Sequence, residues 1–162
     1  MKNLIFALAL FGLTSNVFAS EKIIDFTLKS NKGENIRVSD LRGQVVMLNF
    51  WASWCGPCVQ EFPHLEKISQ RFSPAGFTLL GVNIDTTEEQ AASFLKDREV
   101  SFPIVYDPDL NVRNAYKKYE GMPLSIFIDC DGNITEIHRS YYAGDEKKYM
   151  KIIKGLIREC SV

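Results

Sequence analysis

A buried strand that runs straight into two cysteines at the head of a helix constrains this chain more than any other feature. Val45-Val46-Met47-Leu48-Asn49-Phe50 is a nearly continuous apolar, β-prone run. Val59-Gln60-Glu61-Phe62-Pro63-His64-Leu65-Glu66-Lys67-Ile68 places apolar residues at helical spacing, at Val59, Phe62, Leu65 and Ile68. Between them lies Trp51-Ala52-Ser53-Trp54-Cys55-Gly56-Pro57-Cys58. A strand ends, a tight turn follows, and a helix starts with Pro57 in its first turn, where a missing N–H costs least. Unpaired N–H groups and the positive end of the helix dipole favour a thiolate there. A C-x-x-C pair at that point is reactive and able to cycle between dithiol and disulfide.

Other uses of such a pair are poorly served. A zinc site asks for four ligands; the chain has no second C-x-x-C, and its two histidines are His64 and His138. No metal is expected. Basic and acidic residues nearly balance, 19 against 20, with no basic patch, which argues against nucleic acid as a partner.

The front of the chain sets the compartment. Lys2 precedes the apolar run Leu4–Leu13, and small residues at Val17 and Ala19 frame a cleavage site after Ala19. This pattern predicts a secretory signal peptide over residues 1–19, with an uncleaved membrane anchor as the alternative. Either way residues 20–162 form one domain in the periplasm or on the extracytoplasmic face, where disulfides persist.

Those residues alternate strands and helices. Ile24–Leu28 and Ile36–Val38, joined through Asn31-Lys32-Gly33, predict an N-terminal hairpin. Strands are expected over 44–51, 77–84, 102–106, 124–129 and 134–142. Helices are expected over 56–72, 88–98, after Asp107-Pro108-Asp109, and from about Asp145 to Cys160. Alternation implies parallel pairing, and the hairpin at Asp131-Gly132 makes the sheet mixed. The cysteine pair then falls at the carboxyl end of a parallel strand, where open α/β sheets place their sites.

With these elements in place, the chain resembles the thioredoxin superfamily, and within it the TlpA/ResA/CcmG(DsbE)-type extracytoplasmic thiol-disulfide oxidoreductases. The resemblance is carried by Phe50 to Cys58, by Glu61 and Pro63 as a C-x-x-E-x-P continuation, by the inserted strand and helix around Phe102-Pro103 and Tyr106-Asp107-Pro108, and by Gly121-Met122-Pro123. It implies an α/β fold: a thioredoxin-like three-layer α/β/α sandwich with a mixed central sheet, an N-terminal β-hairpin and an inserted βα element. It also implies roles. Cys55 attacks a substrate disulfide and Cys58 resolves the mixed disulfide. Glu61, one helical turn beyond Cys58, accepts or returns the Cys58 proton; spacing alone leaves open a solvated surface glutamate. Pro123 follows a cis bond, so that the backbone of Met122 pairs with an extended substrate beside Cys55. Trp54, Gly56 and Pro57 shape the substrate surface, and Trp51 packs in the core. His64 and His138 read as surface residues, and the sequence does not place Asp25, Asp40 or Asp85.

The implied activity is reduction of protein disulfides in envelope proteins such as apocytochrome c. It needs no cofactor beyond the redox-active Cys55–Cys58 disulfide, and a membrane thiol donor of the DsbD/CcdA type recharges it. Two alternatives use the same cysteines. A thiol peroxidase of the P-x-x-x-T-x-x-C kind needs proline and threonine where Leu48 and Ala52 stand. A copper metallochaperone would exploit soft thiolates, but no methionine or histidine cluster assists.

Cys130 and Cys160 lie outside that pattern. Cys130 closes the strand 124–129 at its hairpin. The return strand and the final helix then reverse direction in turn, bringing Cys160 back to the level of that hairpin. Cys160 shares the inward stripe of Leu156. A structural disulfide is expected, with two separate thiols as the alternative.

Overall fold

The computed structural model describes residues 21–98 and 100–161; the signal peptide expected over 1–19 lies outside them. A short antiparallel hairpin, β1 (Thr27–Lys29) and β2 (Asn35–Arg37), precedes a five-stranded sheet. The sheet is built from β3 (Val45–Trp51), β4 (Phe77–Asn83), β5 (Ile104–Tyr106), β6 (Leu124–Ile128) and β7 (Ile134–Arg139), in the spatial order β5-β4-β3-β6-β7. The helices are α1 (Gly56–Phe72), α2 (Glu88–Leu95), α3 (Asn111–Ala115) and α4 (Asp145–Cys160).

β3 is central and buried along its whole length, which is why it reads as an apolar run rather than an alternation. Its side chains still part by the period of two. Val45, Met47 and Trp51 join a core with Phe62 and Leu65 of α1, Ala91 of α2, and Tyr149 and Ile153 of α4. Val46, Leu48 and Phe50 face the opposite side, among Val112 and Tyr116, with Leu28 and Ile36 of the hairpin packed on them. One face thus carries a full helical layer. The other is covered by a hairpin and a five-residue helix.

The sheet is mixed for a reason the alternation did not reveal. β3, β4 and β5 are parallel, but β6 already runs antiparallel to β3. Tyr106 pairs with Asn83 and Asn83 with Trp51, while Leu124 pairs with Phe50. The chain therefore leaves β5 and enters β6 at the same end of the sheet. A parallel return needs a crossover of about a dozen residues or more, usually a helix spanning the sheet, and α3 is too short to make that journey. Instead the segment arches over one face, with Tyr116 packed 5.9 Å from Phe50 between ring centroids.

Two elements stop earlier than their periodicity suggests. β7 ends at Arg139 because Ser140 adopts a left-handed conformation (φ 66°), although its N–H still donates to the carbonyl of Pro123 at 2.8 Å. α2, opened by a Thr87–Gln90 capping box, ends at Leu95.

Candidate active site

Cys55 is the N-cap of α1. Its backbone is extended (φ −88°, ψ 103°), and its Sγ accepts the N–H of Cys58 at 3.3 Å. Cys55 and Cys58 are joined as a disulfide with Cα atoms 5.3 Å apart. Cys55 retains 5% of its surface and Cys58 1%, so an incoming group meets Cys55 first. The neighbouring Gly56 and Pro57 are exposed, and Trp54 is 66% exposed. Trp51 is buried, its ring 4.7 Å from Phe62 and 5.1 Å from Phe94.

The turn before Cys55 is pinned from below. Asp85, buried at the end of β4, accepts the N–H of Ser53 (3.1 Å), the Ser53 hydroxyl (3.0 Å) and the Asn83 amide (2.8 Å). The Met122–Pro123 peptide bond is cis. Continuing the register of β6 against β3, in which Leu124 faces Phe50, brings half-buried Met122 and buried Pro123 beside the turn that carries Cys55.

Glu61 is fully buried rather than solvated. Its Oε2 accepts the Asn49 amide at 2.9 Å and its Oε1 accepts the Tyr149 hydroxyl at 2.8 Å. The same Asn49 nitrogen donates to Ser125 Oγ at 3.0 Å, and Asn49 and Ser125 face each other across β3 and β6. Burial pushes the Glu61 carboxyl up to about 7, against the pull of the two donors from Asn49 and Tyr149. Burial, with the Glu61 charge behind it, pushes the Tyr149 phenol well above its ordinary range. A carboxyl poised near neutrality, one helical turn along from Cys58, suits proton uptake and return.

Asn49, Ser125 and Tyr149 are residues near the site that pattern reading overlooked, while Asp85, which the sequence left unplaced, lies buried beneath the turn that carries Cys55. A signal was present for two of them: Asn49 and Ser125 are polar residues inside runs otherwise apolar and buried. The two histidines lie outside the cysteine pair. His138, half-buried, bonds Asp145 at 2.9 Å and sets its ring 5.1 Å from Tyr149. His64 lies 5.9 Å from the Tyr141 ring. Asp25 and Asp40 are exposed, Asp25 pairing with Arg37. Among the described residues no group of three or more His, Cys, Asp or Glu side chains is placed to hold a metal.

Cys130 and Cys160 come together at the other end of the sheet, where Ile128 pairs with Val46. They form a second disulfide, with Cα atoms 5.9 Å apart and a sequence separation of 30. Cys160 is the last residue of α4, and its Sγ accepts the N–H of Cys130 at 3.2 Å. Lys22 and Arg42 both donate to the carbonyl of Asp131 beside them.

Comparison with known proteins agrees with this geometry. A profile of the AhpC/TSA family matches residues 19–137. The thiol-disulfide oxidoreductase ResA of Halalkalibacterium halodurans is 34% identical over 84% of this chain and 77% of that protein. Bacillus subtilis ResA is 33% identical over 80% of this chain and 72% of its own. A Chlorobium tepidum structure provisionally assigned as a thiol:disulfide interchange protein DsbE superposes with a TM-score of 0.81 and 33% identity, covering 85% of this chain and 96% of that one. The thioredoxin domain of a Bacteroides vulgatus thiol-disulfide oxidoreductase superposes with a TM-score of 0.71 at 26% identity, covering 86% and 99%. The fold is thioredoxin-like.

Proposed function

We propose that this chain, which belongs to the AhpC/TSA family and within it to the ResA-type thiol-disulfide oxidoreductases, works outside the cytoplasm as a reductant of protein disulfides. The observation that carries the reading is the asymmetry of its cysteine pair: Cys55 caps a helix N-terminus and is reached first, while Cys58 is sealed one turn deeper, on the helix face that bears Glu61.

That asymmetry orders the chemistry. The Cys55 thiolate attacks one sulfur of a substrate disulfide. A Cys55–substrate bond forms, the substrate S–S bond breaks, and the first substrate sulfur leaves as a thiolate that takes a proton from water. Cys58 then gives its proton to the Glu61 carboxylate and attacks Cys55 Sγ. The Cys55–substrate bond breaks, the second substrate thiolate departs, and the Cys55–Cys58 disulfide remains. The Cys58 N–H and the helix dipole favour Cys55 as nucleophile and as leaving group alike. Met122 offers backbone to an extended substrate beside Pro123, and Trp54, Gly56 and Pro57 form the surface on which it lies.

The compartment and partners belong to the same proposal. A leader over residues 1–19 exports the domain of residues 20–162, the Cys130–Cys160 disulfide braces it, and a membrane thiol donor of the DsbD/CcdA type returns electrons to the pair. Envelope proteins with disulfides to open, apocytochrome c among them, are the substrates, and no cofactor takes part. The test is the reduction potential of the Cys55–Cys58 pair, measured beside insulin reduction. A potential near or below about −250 mV with insulin reduction supports a reductant, and one near −180 mV or above makes the protein an oxidant or isomerase. Peroxide consumption without insulin reduction would point to a thiol peroxidase instead.

A further inference from the structure

Tyr149 lies 88 residues from Glu61 in sequence, on a different helix, yet it donates to Glu61 at 2.8 Å from a fully buried position. Its phenol is aimed at an ionisable side chain, not at backbone. Asn49 grips the other carboxylate oxygen, and its amide is held in that orientation because the same nitrogen also donates to Ser125. The two donors differ in kind. The Asn49 nitrogen can only donate, whereas a hydroxyl both donates and accepts. When Glu61 is ionised, Tyr149 donates to Oε1. When Glu61 is neutral, the new proton on Oε1 needs an acceptor, and the Tyr149 hydroxyl supplies one by turning its own proton away from Glu61. A buried carboxyl without such a partner would leave a polar group unpaired in one of its two states, at a cost of about 1–3 kcal/mol.

We propose that Tyr149 is the positioning residue for proton transfer at this site: its hydroxyl holds the Glu61 carboxyl behind Cys58 and switches from donor to acceptor each time Glu61 takes up the Cys58 proton. The final helix thereby belongs to the redox machinery and not only to the core. This inference rests on the reading of Glu61 as the carrier of that proton. The other groups facing Glu61 come from several elements. They are Asn49 from β3, Ser125 from β6, Asp145 from α4, Tyr141 from the loop after β7 and Cys58 on its own helix; His138 sits behind Asp145, and His64 one turn along α1.

The experiment follows the pH dependence of exchange between the reduced protein and oxidised glutathione, in the parent, in Glu61→Gln, in Tyr149→Phe, and with 3-fluorotyrosine at position 149. The Glu61 carboxyl stretch is read in parallel by infrared spectroscopy. A step near neutral pH is expected in the parent and is lost in Glu61→Gln. Tyr149→Phe removes a charge-assisted bond to the ionised form and a weaker neutral bond to the protonated form, so the step should persist and move up by the difference, about half to one pH unit. The more acidic fluorotyrosine donates more strongly and should move it down. This arm preserves the ring and the hydroxyl, so it remains informative if the phenylalanine variant does not fold. A step that Glu61→Gln abolishes but neither change at Tyr149 moves overturns the role of Tyr149 alone. A parent profile identical to that of Glu61→Gln overturns the proton-carrier reading and this proposal with it.

Discussion

The two disulfides of this protein have similar spans, with Cα atoms 5.3 and 5.9 Å apart, and opposite surroundings. Cys55–Cys58 joins residues three apart at the N-terminus of α1, on a turn pinned by Asp85 and against a helix face that carries a buried carboxyl. Cys130–Cys160 joins residues 30 apart and ends at the C-terminus of α4, at the far end of the sheet. A short loop removes little freedom from the unfolded chain and a long one removes much more. The positive pole of a helix stabilises a departing thiolate, and the negative pole opposes it. Loop length and helix polarity, not the bond itself, separate a disulfide suited to exchange from one suited to bracing.

The largest expected effect breaks the comparison from the reactive side. Cys55→Ser should abolish insulin reduction, a loss of at least about a thousandfold, while Cys58→Ser should stall after the first attack and accumulate a mixed disulfide visible by mass spectrometry. Turnover by Cys55→Ser would reassign the nucleophile.

From the bracing side, the double variant Cys130→Ser/Cys160→Ser should keep its exchange rate and lose about 3–4 kcal/mol in urea unfolding, the chain-entropy value for a loop of that length. A loss below about 1 kcal/mol, or a fall in exchange rate matching that of Cys55→Ser, would remove the distinction.

The buried carboxyl behind the first pair sharpens the contrast through pH. Glu61 titrates at about 7 folded against 4.5 as its ordinary value. The folded state therefore holds this proton longer, and the stability it contributes is complete below about pH 4.5 and lost as pH rises through 7. Glu61→Gln is spared that loss. Above pH 7 it should be more stable than the parent by up to about 3 kcal/mol, with the difference vanishing near pH 4. Urea midpoints shifted equally at pH 4 and pH 8 would show that Glu61 does not titrate in this range.

The smallest effect concerns the approach to Cys55. Trp54→Ala should raise the KM for insulin a few-fold and leave both disulfides and the fold intact, because the ring is exposed. An unchanged KM would take Trp54 out of the substrate surface.

Much of this molecule is set by local sequence. The apolar run of β3, the Pro57-led start of α1 and the amphipathic stripe of α4 follow from spacing within a few residues, because helix and strand periodicities couple neighbours no more than about four apart. The C-x-x-C pair falls at a strand-to-helix junction for the same reason. The direction of β6, the burial of Glu61 and the Asn49–Glu61–Tyr149–Ser125 network are decided at longer range. Glu61 is 12 residues from Asn49 and 88 from Tyr149, and Asn49 is 76 from Ser125. Those pairs meet only because β6 enters the sheet antiparallel and sets Ser125 opposite Asn49, while α4 docks beside α1. Helical spacing leaves Glu61 equally fit for water or for the core; the helix packed over it removes the water, and Asn49 and Tyr149 supply the hydrogen bonds that make its burial tolerable.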